Sequence, residues 1–171
     1  MSEVRLVGAD AGWPAQFDAV AQALREALAG TACWVEHIGS TAVPGLCAKP
    51  VLDLLLGVTQ LTDVDANHDA LAALGYRYRP EHEVQLPERR YFTRDARPAQ
   101  LRVHLHAVVR GSVFWRDQLA FRDALSADDA LAGRYAALKH ELAARHATDK
   151  AAYTEAKGPF VRAVLAAAAP E

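Results

Sequence analysis

The sequence predicts an α/β (α+β) protein with a helical C-terminal third. Three observations predict it. Helix and strand patterns alternate over the first two-thirds of the chain. One nearly continuous apolar run, VLDLLLGV at 51–58, suits a strand covered on both faces. From Phe114 onward the apolar residues fall at helical spacing.

The elements follow in order. Trp13, Phe17, Val20, Leu24 and Leu28 share one helical face, Pro14 suits the first turn, and the helix ends near Gly30. ACWVEHI then reads as a strand, with Trp34 in a β-favourable setting. GSTAVPGLCAKP is a loop punctuated by Gly39, Pro44, Gly45 and Pro50, and VLDLLLGV follows it as the buried strand. DVDANHDALAALGY is helical until Gly75 stops it. YRYRP, RRYFTRD and LRVHLHAVV are further strands, and the polar stretch between them holds Pro80 and Pro87. Phe114, Phe121 and Leu125 form one helical stripe. Leu131, Tyr135, Leu138 and Leu142 form another, and a last helix carries Tyr153, Phe160 and Val164. The final AAAAPE is expected to fray. No repeat or low-complexity linker divides the chain, so 1–171 reads as a single domain.

Composition narrows the function. A chain of 171 residues is long enough to bury a sizeable core. A net charge of −2 argues against generic nucleic-acid binding, which needs a basic face. The start MSEVRLVGAD lacks the basic and apolar regions of a signal peptide. No run reaches the roughly 18 apolar residues that a membrane span requires. Cys33 and Cys47 are too few for a disulfide framework or a cysteine-rich zinc site. The expectation is a cytoplasmic protein in a reduced setting, without nucleic-acid or membrane partners. Its oligomeric state is not written in the sequence.

The chemistry concentrates in EHIGSTAVPGLCAKPVLDLLLGV. A Gly-Ser pair between strand and loop can offer backbone N–H groups and a hydroxyl to phosphate oxygens, which makes Gly39, Ser40 and Thr41 candidate phosphate binders. The same residues also suit a plain turn, with Ser40 or Thr41 capping it. Asp53 is a lone carboxylate in an apolar strand, and an unpaired buried charge is costly, so it requires a partner. With substrate phosphates it could hold Mg²⁺. In HLH, His104 and His106 are two apart on a strand and share one face, as a metal pair, an acid/base pair or two packed rings. Lys49 and Arg90 (with Arg89) can clamp an anionic substrate, although most such charges are simply solvated. In YTEAK, Tyr153 and Lys157 share a helix face, where Lys157 either packs or reaches an anion. Lys139 and Arg122 read as ordinary polar-face residues.

The segments EHIGSTAVPGL-AKPVLDLLLGV, RRYF, HLHAVV-GS-FWRDQLAFRDAL, YAALKHELA and YTEAKGPFV, in that order from about Trp13 to Leu165, resemble the GrpB family, also called UPF0157. The same kind of domain is found fused behind the kinase domain of some dephospho-CoA kinases. The resemblance implies a nucleotidyltransferase-like fold, a mixed β-sheet flanked by helices. Such proteins place Gly-Ser before a strand bearing Asp-x-Asp/Glu, with a third carboxylate on a later strand. Gly39 and Ser40 match the Gly-Ser element and Asp53 matches the first carboxylate. Leu55 stands at the second, and the strand of His104 and His106 offers no third. One Asp with two His suits Zn²⁺ or Mn²⁺ better than Mg²⁺.

Three readings result. In the first, the protein is an enzyme performing metal-dependent nucleotidyl transfer from a nucleoside triphosphate to a small molecule. Ser40 and Lys49 hold phosphates, Asp53 holds the metal, and His104 or His106 ligates or acts as base. In the second, it is a catalytically degenerate nucleotide- or ligand-binding module. In the third, it is a structural partner domain in which the same residues form a satisfied polar network.

Overall fold

A computed structural model describes residues 4–168. Its elements are α1 (Trp13–Ala27), β1 (Cys33–Ile38), β2 (Val51–Val58), α2 (Leu61–Asp65), α3 (His68–Ala73), β3 (Arg77–Tyr78), β4 (Arg89–Arg94), β5 (Arg102–Val109), α4 (Val113–Ala127), α5 (Asp129–Arg145), α6 (Lys150–Ala156) and α7 (Gly158–Ala168). The strands form one mixed sheet in the order β1-β2-β5-β4-β3. Only β2 and β5 run parallel; the other neighbours are antiparallel. Strand β2 lies between β1 and β5 and is covered on both faces, which is why its sequence barely alternates.

Side chains alternate across the sheet, so register sorts the residues into two sets. Leu52, Leu54 and Leu56, with Val103, Leu105 and Phe92, pack against Trp13, Val20, Ala21 and Leu24 of α1 and Val64 and Leu71 of α2 and α3. The opposite face carries Asp53, Leu55 and Gly57 beside His104, His106 and Val108. There Ile38, Leu55 and Val108 meet Trp115 of α4. Gly57 is required at this contact, since a Cβ would lie 2.5 Å from the Trp115 ring. Two further clusters dock the C-terminal helices: Val43 and Leu46 of the loop before β2 with Leu125 and Tyr135, and Val4 of the segment before α1 with Leu142 and Tyr153. Ser112, Asp128 and Asp149 start α4, α5 and α6 by accepting a backbone N–H in the first turn.

Two predicted helices are each divided in two. The one expected over 63–76 breaks between α2 and α3. Asn67 donates its side-chain amide to the Asp63 carbonyl at 2.7 Å, taking an acceptor that a continuous helix would use. The last helix breaks at Lys157, because Pro159 has no N–H to continue α6 but fits the first turn of α7. Of YRYRP only Arg77–Tyr78 pairs as a strand. Residues 166–168 of the expected frayed tail are helical, and 169–171 lie outside the described residues. Among the described residues no helix is long and apolar enough to cross a membrane.

Candidate functional site

The Gly-Ser loop turns directly over Asp53. Gly39 has φ of +72° with ψ near −173°, a region open essentially to glycine alone. A Cβ there would lie 2.7 Å from Asp53 Oδ2, so the glycine also allows the backbone to approach the carboxylate. Asp53 is half-buried, its side chain 30% exposed. Its Oδ1 lies 3.5 Å from His104 Nδ1 and 3.7 Å from His106 Nε2. The parallel β2–β5 register creates this meeting by setting Asp53 opposite His104 and Leu55 opposite His106. Burial by itself would raise the Asp53 pKa, but the two imidazoles facing it hold the carboxyl well below the usual range. It is therefore ionised at neutral pH.

His106 is constrained on both sides. Burial pushes its pKa down, against the pull of Asp53, so the ring is neutral at pH 7. Arg89 Nη1 lies 3.2 Å from His106 Nδ1 and can only donate. Nδ1 is thus the acceptor, and the ring proton sits on Nε2 toward Asp53. Arg89 also lies over the rings of Tyr91 and Phe114.

A group of lysines adjoins the loop. Lys139 Nζ, from α5, donates to Ser40 Oγ at 2.7 Å and also to the Cys47 carbonyl. Lys49 Nζ and Lys157 Nζ both lie over the Tyr153 ring, at 5.1 and 4.7 Å. Burial, with neighbouring lysines, pushes Lys139 and Lys157 down to about 8. Lys49 is lowered too, chiefly by burial, while Asp53 pulls it back up. Three ammonium groups from three separate segments thus gather around one hydroxyl, one ring and one carboxylate. Two clefts elsewhere, one between α4, α5 and α7 and one beside α1, do not include these residues.

The structure brings together Gly39, Ser40, Lys49, Asp53, His104, His106 and Lys157. Two other residues expected at the site are engaged elsewhere. Thr41 is buried with its hydroxyl 2.8 Å from His37 Nε2, on the α1 side, where His37 stacks on Phe17. Arg90 pairs with Asp65 at 2.8 Å and lies on the face opposite Asp53, because alternation along β4 gives that face to Arg89. Lys139 and Arg122 are not ordinary polar-face residues. Lys139 is 2% exposed, and Arg122 bonds both Glu36 at 2.9 Å and the His37 carbonyl at 3.0 Å. A signal for Lys139 was present: Tyr135, Leu138, Lys139 and Leu142 fall at i, i+3, i+4, i+7, which puts the lysine on the buried stripe.

The donor set does not fit Mg²⁺, which takes several hard oxygen ligands. Leu55, at the second carboxylate position, is fully buried among Ile38, Val108 and Trp115. Both imidazoles face the same oxygen, Asp53 Oδ1, at 3.5 and 3.7 Å, so the three side chains form an electrostatic cluster. Among the described residues no group of three or more His, Cys, Asp or Glu side chains is arranged to hold a metal ion.

The fold and site thus define an α/β protein with a Gly-Ser loop packed on a strand-borne aspartate and ringed by lysines. The chain belongs to the GrpB family: a family model described as GrpB protein matches residues 3–167. It is 34% identical to a UPF0157 protein of Halalkalibacterium halodurans over 96% of this chain and 82% of that one. The crystal structure of the conserved protein GrpB from Enterococcus faecalis superposes with a TM-score of 0.84 at 33% identity, covering 96% of both chains. A dephospho-CoA kinase of Mycolicibacterium paratuberculosis is 34% identical over 93% of this chain, which spans 44% of that protein.

Proposed function

We propose that the protein binds the phosphate groups of a small nucleotide-like ligand at the Gly-Ser loop, as a binding module of nucleotidyltransferase-like ancestry. The observation that carries this reading is the gathering of three lysines beside the Gly-Ser loop: Lys139 bonded to Ser40, and Lys49 and Lys157 both over the Tyr153 ring. Gathering like charges in a partly dehydrated pocket is unfavourable unless an anion joins them, as the lowered lysine pKa values reflect. The Ser40 hydroxyl, held by Lys139, orients a phosphate oxygen, and the ammonium groups of Lys49 and Lys157 neutralise its charge. Buried Leu55 favours binding over two-metal transfer.

Nucleotidyl transfer to a small-molecule acceptor is the second reading, and the Asp53–His104 pair favours it. His104 turns Nδ1 toward the carboxylate at 3.5 Å, which directs Nε2 away from it as the candidate base. That nitrogen would take the acceptor's hydroxyl proton as its oxygen bonds to the α-phosphorus and pyrophosphate leaves.

Calorimetric titration of the full chain and Lys139→Met with pyrophosphate, ATP, CTP, GTP and UTP tests the binding reading, each with and without Mg²⁺, Mn²⁺ or Zn²⁺. One-to-one binding that weakens about tenfold or more in the variant is expected for loss of a charge-assisted contact. Absence of binding in every combination rejects the site. Product formation from a nucleotide that disappears in His104→Gln would promote transfer over binding alone.

A further inference from the structure

The opposite face of the sheet holds a second unusual cation. Arg94, at the end of β4, is 6% exposed. Its Nε is buried without a hydrogen-bond partner, and its guanidinium forms no ion pair among the described residues. The guanidinium lies 5.5 Å from the centre of the Tyr76 ring, an aromatic face that is not a charge partner. Buried charges in folded proteins are paired, because an isolated one costs several kcal/mol. Two exposed arginines nearby do find partners: Arg77 pairs with Asp95 at 2.6 Å, and Arg97 donates to the Leu74 carbonyl at 3.0 Å.

Arg94 lines a cleft of about 480 Å³. Ala15, Ala19 and Ala23, one turn apart on α1, leave one wall low, and Leu74 of the segment after α3 faces them. Leu52 and Val20 make an apolar floor. The rim carries exposed Arg97 and Gln100. Gln16 ties the β4–β5 connection to α1 by accepting the Leu101 N–H at 3.0 Å, so the wall is anchored. The cleft has the usual make-up of a small-molecule site: mostly apolar walls, a volume within the common range, and few polar groups that converge.

We propose that this cleft binds a small amphipathic carboxylic acid. The carboxylate accepts from the Arg94 guanidinium, and the apolar tail lies along the alanine wall of α1. One buried arginine matches one negative charge, and its planar fork suits a carboxylate. The other cation of the cleft, Arg97, is exposed and held by the Leu74 carbonyl, so the second charge of a phosphate dianion would meet only a solvated partner at the rim. The site lies across the sheet from Asp53 and does not depend on the phosphate-binding reading.

Isothermal titration of the full chain with octanoate, octanol and octyl phosphate tests it. Saturable one-to-one binding of octanoate is expected, about tenfold or more tighter than octanol or octyl phosphate. Arg94→Met removes that preference, while Lys157→Met leaves it intact. Ala19→Trp supplies a test independent of any repacking in Arg94→Met, by filling the wall and leaving the arginine; it is expected to abolish octanoate binding. Equal affinity for octanoate and octanol, tighter binding of octyl phosphate, or octanoate binding unchanged in both variants overturns the proposal.

Discussion

The α1–α3 face of the sheet and the face under the C-terminal helices are built from the same strands but serve different ends. On the first, Leu52, Leu54, Leu56, Val103 and Leu105 form a nearly continuous apolar surface, and the one charge it buries, Arg94, stands at its margin. On the second, Asp53, His104 and His106 occupy the middle strands, and the apolar contact of the sheet with α4 is a smaller cluster of Ile38, Leu55 and Val108 with Trp115, edged by Trp34, Phe114 and Leu119. Stability is concentrated on the first face, because burial of apolar area drives folding. The second gives up some of that area to keep ionisable groups together. The difference teaches that one pair of strands can divide the two tasks: the β2–β5 ladder sets Asp53 beside His104, and alternation gives the neighbouring leucines and Val103 to the α1 side.

The strongest way to break this comparison is Leu105→Ala. It should cost about 2–5 kcal/mol, the usual range for a fully buried leucine. Pyrophosphate affinity of the folded fraction should stay unchanged. Thermal unfolding and titration together check it, and a loss of affinity with little loss of stability would show that the two faces are not separable in this way.

Gly39→Ala acts on the other face. The backbone region is closed to alanine and the new Cβ would press on Asp53, so a destabilisation of about 1–3 kcal/mol is expected. Pyrophosphate binding should fall with it, unlike the leucine variant. A variant that melts and binds like the original chain would mean that the loop does not rest on Asp53.

A third experiment sharpens the contrast through pH. Lys139 and Lys157 titrate near 8 in the fold and near 10.5 when unfolded. Between those values the unfolded chain holds more protons, so the two lysines add stability as pH rises from 8 toward 10.5. Phosphate binding runs the opposite way, weakening as pH rises through 8 and the ammonium charge is lost. Melting temperatures and pyrophosphate titrations over that window, with Lys139→Met as reference, should show both trends reduced in the variant. Parallel slopes in the two proteins would refute the assignment of Lys139.

Much of the fold was legible because its signals are local. The period of α1, the unbroken run of β2 and the alternation of VHLHAVV each report on the element that carries them. The placement of His104 and His106 on one face and Val103, Leu105 and Ala107 on the other was likewise readable from alternation. The breaks within the α2–α3 and α6–α7 regions were less so. Asn67 and Pro159 were visible, but whether such residues end a helix depends on which partners their surroundings supply.

The sequence by itself determined which residue types could meet an anion: the Gly-Ser turn, a lone aspartate in an apolar strand, a same-face histidine pair and Lys49 just ahead of them. Tertiary structure decided which of them meet. Parallel pairing of β2 with β5 set Asp53 beside His104, and docking of α5 and α6 delivered Lys139 and Lys157 to the loop from about a hundred residues away. The same packing sent Thr41 to His37 and Arg90 to Asp65, and left Arg94 buried in a cleft on the far face. The physical reason is that period and spacing fix the direction of a side chain within its own element. What lies opposite depends on strand order and helix docking, and these follow from the apolar core as a whole.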